Sequence, residues 1–155
     1  MKRCSWPGKD QIYIDYHDNE WGVPEYNSIA LFEKLILDGF QAGLSWITIL
    51  KKRENFRKAF YGFDPEKISK LGTSEVELLL QNSGIIRHRG KIEATINNAK
   101  VFLKIEESVG FNYFLWKYVG GKPLINRWTD NSEIPTYSEL SVQISTDLKK
   151  LGFKF

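Results

Sequence analysis

The residues best suited to chemistry lie together between positions 13 and 24, in a stretch that reads YIDYHDNEWGVP. It holds two tyrosines, a tryptophan, the chain's first histidine and the carboxylates of Asp15, Asp18 and Glu20. Aromatic faces beside acids suit a pocket for a flat polar or cationic ligand, because rings stack on the ligand and acids accept its hydrogen bonds. An acidic turn that carries core aromatics has the same composition, so both interpretations stay open.

Acid–base chemistry would have to come from carboxylates near this stretch. No Ser-His-Asp, Cys-His, P-loop or dinucleotide signature occurs in the sequence. Asp38 is the chief candidate, since on a helical wheel it falls beside Leu31 and Leu35 at the edge of an apolar face. We expect it to be half-buried and paired, with Tyr16 as its hydroxyl partner. A mere boundary acid would have the same position.

A metal site is the next possibility. Cys4 and His17 have the chemistry of zinc ligands, but a structural zinc site takes about four protein ligands. The sequence offers no second cysteine and only one further histidine, His88. The residues by themselves therefore predict no complete Cys/His site.

Composition sets the broad class. With 155 residues, 42% of them hydrophobic and 26% charged, the chain fits a single globular domain. The lone cysteine excludes an internal disulfide, and we therefore expect a cytoplasmic location for the protein. No apolar run approaches the about 18 residues of a membrane span, so we expect no membrane partner.

Charge is unevenly distributed along the chain. Residues 10–38 contain seven acids and one lysine, whereas residues 51–60 and 87–104 each contain five basic residues and one glutamate. Two basic blocks facing a polyanion, next to an acidic pocket, would explain this division. Solvated helix faces also produce such basic runs.

The elements that must position these residues are predicted to be helices, and no alternating strand pattern is present. The helices are expected over about 27–41, 45–60, 88–106, 111–119 and 138–151, with a cap-and-proline start at Asp64-Pro65. A capping box, Ser74 with Glu77, is expected to open another helix that ends near residue 82. The predicted fold class is all-α, with residues 1–155 in one domain.

A turn between two of these helices has the layout of a helix-hairpin-helix. It reads NSGIIRHRGK over residues 82–91. Gly84 and Gly90 permit a tight turn with exposed N–H groups, and Arg87, Arg89 and Lys91 add charge, which together would cradle a phosphate. An ordinary turn between helices with glycine punctuation would look similar, and His88 is no more than a polar turn residue here.

Five segments carry a resemblance to a known family. They are CSW, YHDNEWGVP, QAGLSWITILKKRENFRKAF, GIIRHRGKI and LKKLGFKF. Through nearly the whole chain, the sequence resembles the 3-methyladenine DNA glycosylase I family of bacterial alkylation-repair enzymes. The resemblance implies a helix-hairpin-helix glycosylase fold and an enzyme that flips 3-methyladenine out of double-stranded DNA and hydrolyses its N-glycosidic bond. It also implies a cytoplasmic monomer with no obligate protein partner.

The resemblance assigns roles to individual residues. Residues 1–26 would form part of the base pocket. The residues that match the family's base-binding positions are Trp6, Tyr13, Tyr16, Trp21, Asp38 and Trp46. Trp46 would stack on the base, and Tyr16 and Asp38 would be the catalytic pair. Gly43 and Leu44 match the probe that enters the gap left by the flipped base, and the hairpin from Gly84 to Lys91 matches the phosphate anchor.

The sequence departs from the family pattern in two places. The family's pocket acid is a glutamate, and Asp38 stands at that position with a shorter side chain. The family also binds zinc through an N-terminal Cys and His, matched by Cys4 and His17, and through a second pair near its C-terminus. That second pair and the family's closing helix are expected to be absent from these residues, which leaves half a zinc site. The alternative function is a protein that binds alkylated bases with weak or no excision.

Overall fold

The computed structural model describes residues 3–155, except for the side chain of Asn131. Every regular element within these residues is helical. The α-helices are α1 (Gln11–Asn19), α2 (Ser28–Gln41), α3 (Trp46–Ala59), α4 (Pro65–Ile68), α5 (Thr73–Gln81), α6 (Arg89–Ser108), α7 (Phe111–Trp116) and α8 (Glu139–Lys150). Short 3₁₀ helices cover Tyr61–Phe63, Lys117–Val119 and Asn131–Glu133. Within the described part of the chain, no helix is long and apolar enough to cross a membrane.

The core is built largely from phenylalanine side chains. Those with essentially no exposure are Phe32, Phe40, Phe56, Phe60, Phe63, Phe102 and Phe111. Their rings pack in contact, as in the pairs Phe40–Phe56 (4.6 Å between centroids) and Phe32–Phe102 (4.8 Å). Burial of one such ring contributes about 1.5–3 kcal/mol. This core joins α2, α3 and the central helix α6, and so fixes the elements that carry the site.

Local side chains start several of these helices. The Asn27 side chain accepts a hydrogen bond from Ala30 N, and the Asp64 carboxylate accepts from Glu66 N and Lys67 N. Both satisfy backbone donors that a helix start leaves unpaired. His88 plays the same part for α6, because its Nδ1 accepts from Lys91 N at 3.2 Å. From the sequence, His88 was expected to be only a polar turn residue.

Two sequence expectations about helices were wrong. The predicted capping box of Ser74 and Glu77 is not formed, because the N-cap of α5 is Gly72, two residues earlier, and Glu75 accepts from Gly72 N. Helix α1 was missed, since Tyr16 is the only buried residue along it and no apolar period marks it. Other helix bounds agree with expectation to within about two residues.

Candidate active site

Helix α1 and the segments around it bring the predicted aromatic residues together. The Trp6 ring packs edge-on against Tyr13 (4.8 Å between centroids), Tyr16 (6.4 Å) and Trp21 (5.3 Å). Tyr16 in turn lies 5.4 Å from Trp46 at the start of α3. All five rings predicted from the sequence therefore form one contiguous cluster.

A cleft of about 620 Å³ opens beside this cluster. Of the six predicted base-binding residues, Tyr16, Trp21 and Trp46 line it, whereas Trp6 and Tyr13 do not. Trp6 contacts the lining rings of Tyr16 and Trp21 and therefore supports them. Residues between Tyr16 and Glu25 thus supply one wall of the cleft. Residues 1 and 2 lie outside the described part of the chain, and a base pocket built from segment 1–26 stays a prediction.

The Tyr16 hydroxyl is held in its protonated form. Burial, together with the nearby negative charges of Asp38 and Glu20, raises the pKa of Tyr16 to about 12. An unionised phenol donates a hydrogen bond and does not act as a base at neutral pH. Tyr16 is therefore equipped to donate to a ligand in the cleft.

Asp38 is half-buried and paired, as expected, with 44% of its side chain exposed. Its partner is not Tyr16, however, and it is not among the residues that line the cleft. It forms an ion pair with Lys34, one turn earlier on α2, which turns the carboxylate along the helix surface. The negative charge of Asp38 contributes to the raised pKa of Tyr16.

Lys34 was not predicted as a site residue, and it lines the cleft. Its ammonium lies 4.3 Å from the ring centroid of Trp46, a cation–π distance. The Trp46 side chain is 9% exposed, and its indole N–H has no hydrogen-bond partner in the described structure. The ring predicted to stack on a base thus already has a cationic partner within the protein.

The first basic block, residues 51–60, is largely neutralised by the acidic segment. Arg53 donates two hydrogen bonds to Glu20 (2.6 and 2.8 Å), and Arg57 donates to Glu33 and Glu54. Arg53, Glu20, Arg57 and Glu33 all line the cleft. Two arginines of this block are therefore part of the cleft wall, and that the block faces a polyanion stays a prediction.

The far wall of the cleft includes Trp116 and Pro123, which the sequence analysis did not select. Trp116 donates from its indole N–H to the carbonyl of Glu25 at 2.7 Å and stacks on Tyr26 at 4.3 Å. These contacts join α7 to the segment after α1. Residues about 90 positions apart in sequence meet here, so no local pattern could have indicated the wall.

The predicted hairpin lies between α5 and α6, and its basic residues differ in whether they are free to contact a ligand. Arg87 is exposed, whereas Arg89 is paired with Glu77 at 2.7 Å. Gly84 packs closely on α3, since a Cβ there would lie 3.0 Å from Asn82 Oδ1 and 3.1 Å from Asn55 Cβ. Gly90 lies in the first turn of α6. A turn between two helices lies at the predicted place. Its identity as a helix-hairpin-helix and its role toward phosphate stay predictions.

The position of Lys91 does not suit the phosphate-binding role predicted for it. It is 7% exposed, and its ammonium donates to the carbonyls of Phe40 (2.8 Å) and Ala42 (2.6 Å) at the C-terminal end of α2. Burial lowers the pKa of this lysine. A cation enclosed in this way holds backbone in place and does not meet a phosphate at the surface.

The loop between α2 and α3 carries the residues expected to probe DNA. Gly43 has φ of +81°, a left-handed conformation that side-chain-bearing residues rarely adopt. It leaves Leu44 42% exposed at the end of the loop, next to Trp46. The loop thus presents an exposed apolar side chain two residues before Trp46, and the probe role of Leu44 stays a prediction.

Cys4 and His17 lie next to each other. The backbone N–H of Cys4 is 3.4 Å from His17 Nε2, and Asp18 Oδ1 is 2.8 Å from His17 Nδ1. Arg3 donates to the same Asp18 carboxylate, and these contacts hold its pKa below its usual range. In residues 3–155, no group of three or more His, Cys, Asp or Glu side chains is placed to hold a metal.

Comparison with known proteins agrees with this architecture. A family model described as methyladenine glycosylase matches residues 6–155. The DNA-3-methyladenine glycosylase of Haemophilus influenzae is 52% identical over 154 residues, which cover 99% of this chain and 83% of that protein. DNA-3-methyladenine glycosylase 1 of Escherichia coli is 53% identical over 156 residues, which cover 100% of this chain and 83% of that protein.

A solved structure gives the same result at the level of the fold. The crystal structure of a tyrosine-to-phenylalanine variant of 3-methyladenine DNA glycosylase I, in complex with 3-methyladenine, matches with a TM-score of 0.95 at 43% identity. The match covers 99% of this chain and 83% of that one. It confirms the predicted all-α fold of a helical DNA glycosylase. The chain belongs to the methyladenine glycosylase family.

Proposed function

We propose that this protein is a DNA repair glycosylase that excises 3-methyladenine from alkylated DNA and leaves an abasic site. The observation that carries the proposal is the cleft lined by Tyr16, Trp21 and Trp46 in a chain of this family. The two relatives are both named DNA-3-methyladenine glycosylases, and the structural neighbour holds 3-methyladenine.

The chemistry of the substrate fits this cleft. Methylation at N3 makes the adenine cationic and weakens its bond to the sugar. In the reaction, the bond between base and C1′ breaks, its electron pair returns to the base, and water supplies the hydroxyl at C1′ and releases a proton. The departing base becomes neutral, so it needs no general acid to leave.

The protein's contribution is then recognition and exclusion of water. Electron-rich ring faces attract a cationic purine, and the Asp38 charge favours it over neutral adenine. Tyr16, kept protonated by its surroundings, donates a hydrogen bond to an acceptor on the flipped base. Enclosure in the cleft strengthens each of these interactions relative to water.

DNA would approach the side of the molecule that carries the loop between α2 and α3 and the hairpin between α5 and α6. Leu44 would fill the gap left by the flipped nucleotide, and the backbone N–H groups of the hairpin, with Arg87, would contact phosphate. The substrate form that suits a flipping mechanism is double-stranded DNA, and the protein would act as a monomer.

Release of the base from alkylated DNA tests the function. Duplex DNA treated with N-methyl-N-nitrosourea is incubated with the protein, and free 3-methyladenine is separated and measured. We expect release by the wild-type protein and a strong reduction in a Trp46→Leu variant. Lack of release would contradict the proposal.

A lesion-binding protein with little excision is the second candidate, and the position of Asp38 favours it specifically. Because Asp38 is paired with Lys34 and lies outside the cleft lining, it gives the base less electrostatic help than a carboxylate inside the cleft would. Selective binding of methylated DNA without release, restored to release by Asp38→Glu, would identify this candidate. Release by the wild-type protein would exclude it.

For the metal, we propose that Cys4 and His17 supply two ligands of a structural zinc site. Asp18 contacts His17 Nδ1, the arrangement by which carboxylates orient zinc-binding histidines through the ring nitrogen that does not bind metal. Zinc bound there would hold the N-terminal segment on α1. Because two ligands make only half of a structural site, we expect zinc titrated into the protein to bind weakly and a Cys4→Ser variant to bind it more weakly still. Equal zinc binding by the two proteins would contradict the role of Cys4.

A further inference from the structure

Lys34 has a position that the proposed reaction does not explain. It is the one lysine among the seven acids of residues 10–38. Its side chain is 45% exposed and so could extend into solvent, yet its ammonium lies over the Trp46 ring and pairs with Asp38. Lys34 also lines the cleft beside Tyr16 and Trp21.

The two groups that hold Lys34 are the ones proposed to recognise the substrate. A purine methylated at N3 and still joined to its sugar brings a positive charge to the ring face of Trp46 and to the negative potential of Asp38. The lysine ammonium offers the same charge to the same face and the same acid. The released base is neutral and competes for the ring face by stacking. A ligand cation that stacks on Trp46 cannot share the ring face with an ammonium 4.3 Å from its centroid.

We propose that Lys34 is a built-in cation that occupies the base site of the free enzyme and must be displaced by the flipped 3-methyladenine. This inference rests on the proposed function. Because the competitor is part of the protein, the fraction of molecules with an open site reduces the apparent affinity of every base by the same factor. The preference for one base over another is set by Trp46, Tyr16 and Asp38. Lys34 lowers the apparent affinity for every base equally.

The size of this effect follows from the contacts of Lys34. A cation–π contact at an exposed site and an exposed i,i+4 ion pair are each weak. Holding the flexible lysine side chain in one conformation also costs entropy, which offsets part of their strength. We expect removal of the charge to tighten base binding about 3- to 10-fold. The ratio between the affinities for 3-methyladenine and adenine should stay unchanged.

Nuclear magnetic resonance tests the position of Lys34 directly. In protein labelled with ¹³C-lysine, the Lys34 ε-methylene signal is assigned by its loss in Lys34→Gln. The Trp46 ring current should shift this signal upfield in the free protein. Saturation with 3-methyladenine should return it to the ordinary lysine position.

Calorimetric titration of 3-methyladenine and of adenine tests the energetic part. Lys34→Gln should bind both bases more tightly, whereas Lys34→Arg, which keeps a cation able to stack on Trp46, should remain close to wild type. Lys100→Gln removes an equal charge from an exposed position on α6 and should leave both affinities unchanged.

Several results would overturn the inference. They are an unshifted Lys34 signal in the free protein, a shift that persists at saturation, or unchanged binding by Lys34→Gln. An absent shift together with normal release of 3-methyladenine from DNA would contradict the role of Lys34 alone. A wild-type protein that neither binds nor releases 3-methyladenine would contradict the proposed function, and the displacement step with it.

Discussion

The ammonium of Lys91 lies 2.6 Å from the carbonyl oxygen of Ala42, although 49 positions separate them in sequence. The bond joins the first turn of α6 to the loop that carries Leu44. A second lysine bond joins the helix that follows this loop to the hairpin. Lys52, on α3, donates to the carbonyl of Ser83 in the hairpin at 3.0 Å. The hairpin and the loop are therefore held together as one unit.

Replacement of Lys91 by methionine should destabilise the protein and loosen this unit. The change leaves the carbonyls of Phe40 and Ala42 without their donor in a buried place, which costs about 1–3 kcal/mol of unfolding free energy. Urea unfolding measures the loss. Base release from duplex DNA should fall more than binding of free 3-methyladenine, because the loop is displaced and the rings are not. Lys100→Met, an exposed lysine on the same helix, is the control, and equal stability of the two variants would refute the role of Lys91.

Replacement of Tyr16 by phenylalanine should weaken binding of 3-methyladenine about 3- to 10-fold, the value of one hydrogen bond to a ligand. Since the pKa of Tyr16 is raised to about 12, the phenol stays protonated at every pH below that value. The pH profiles of base release by wild type and variant should therefore have the same shape between about pH 6 and 9. A basic limb present in wild type and missing in the variant would show that Tyr16 ionises during the reaction.

Two substitutions of Asp38 separate the effect of its negative charge from the effect of its side-chain length. Asp38→Asn removes the negative potential near Tyr16 and should reduce the release rate about 3- to 10-fold, a modest loss because the carboxylate is 44% exposed. Asp38→Glu keeps the charge and extends it by one methylene, so it should retain or exceed wild-type activity. Single-turnover release of 3-methyladenine is the measurement, and equal rates for the asparagine and glutamate variants would exclude an electrostatic role.

Gly84 and Gly39 offer a matched pair of glycine-to-alanine changes. Gly84→Ala places a Cβ 3.0 Å from Asn82 Oδ1 and 3.1 Å from Asn55 Cβ, so the hairpin must shift and base release from DNA should fall. At Gly39, inside α2, the nearest atom to the new Cβ is 3.7 Å away, and alanine should stabilise the helix by about 0.5–1 kcal/mol. Thermal unfolding and DNA binding compare the two, and an undisturbed Gly84→Ala variant would show that the turn tolerates the extra atom.

Several helices were predictable because their signals are local. Asn27 and Asp64 each cap the helix that follows within three residues, so adjacent letters of the sequence contain the information. Helix α1 has no comparable signal. It is held by ring contacts that Tyr13 and Tyr16 make with Trp6, and these depend on how the chain folds back.

The site was predictable in its residue types and less so in its contacts. The five aromatic residues meet as expected, because the resemblance identified them together. The position of Asp38 depends on Lys34, and the enclosure of Lys91 depends on the carbonyls of another helix. A helical wheel or a count of basic residues contains neither kind of information.

The paired arginines of the cleft wall also bear on how DNA binding responds to salt. Arg53 and Arg57 already face Glu20 and Glu33, so phosphates near this wall would find guanidinium groups whose charge is compensated. Protein–DNA affinity depends on salt because each neutralised phosphate releases bound counterions, with a slope of about −0.9 in log K against log salt concentration. Guanidinium groups that stay with their carboxylates release none. The affinity of this protein for DNA will therefore depend on ionic strength less steeply than its 22 lysines and arginines would imply.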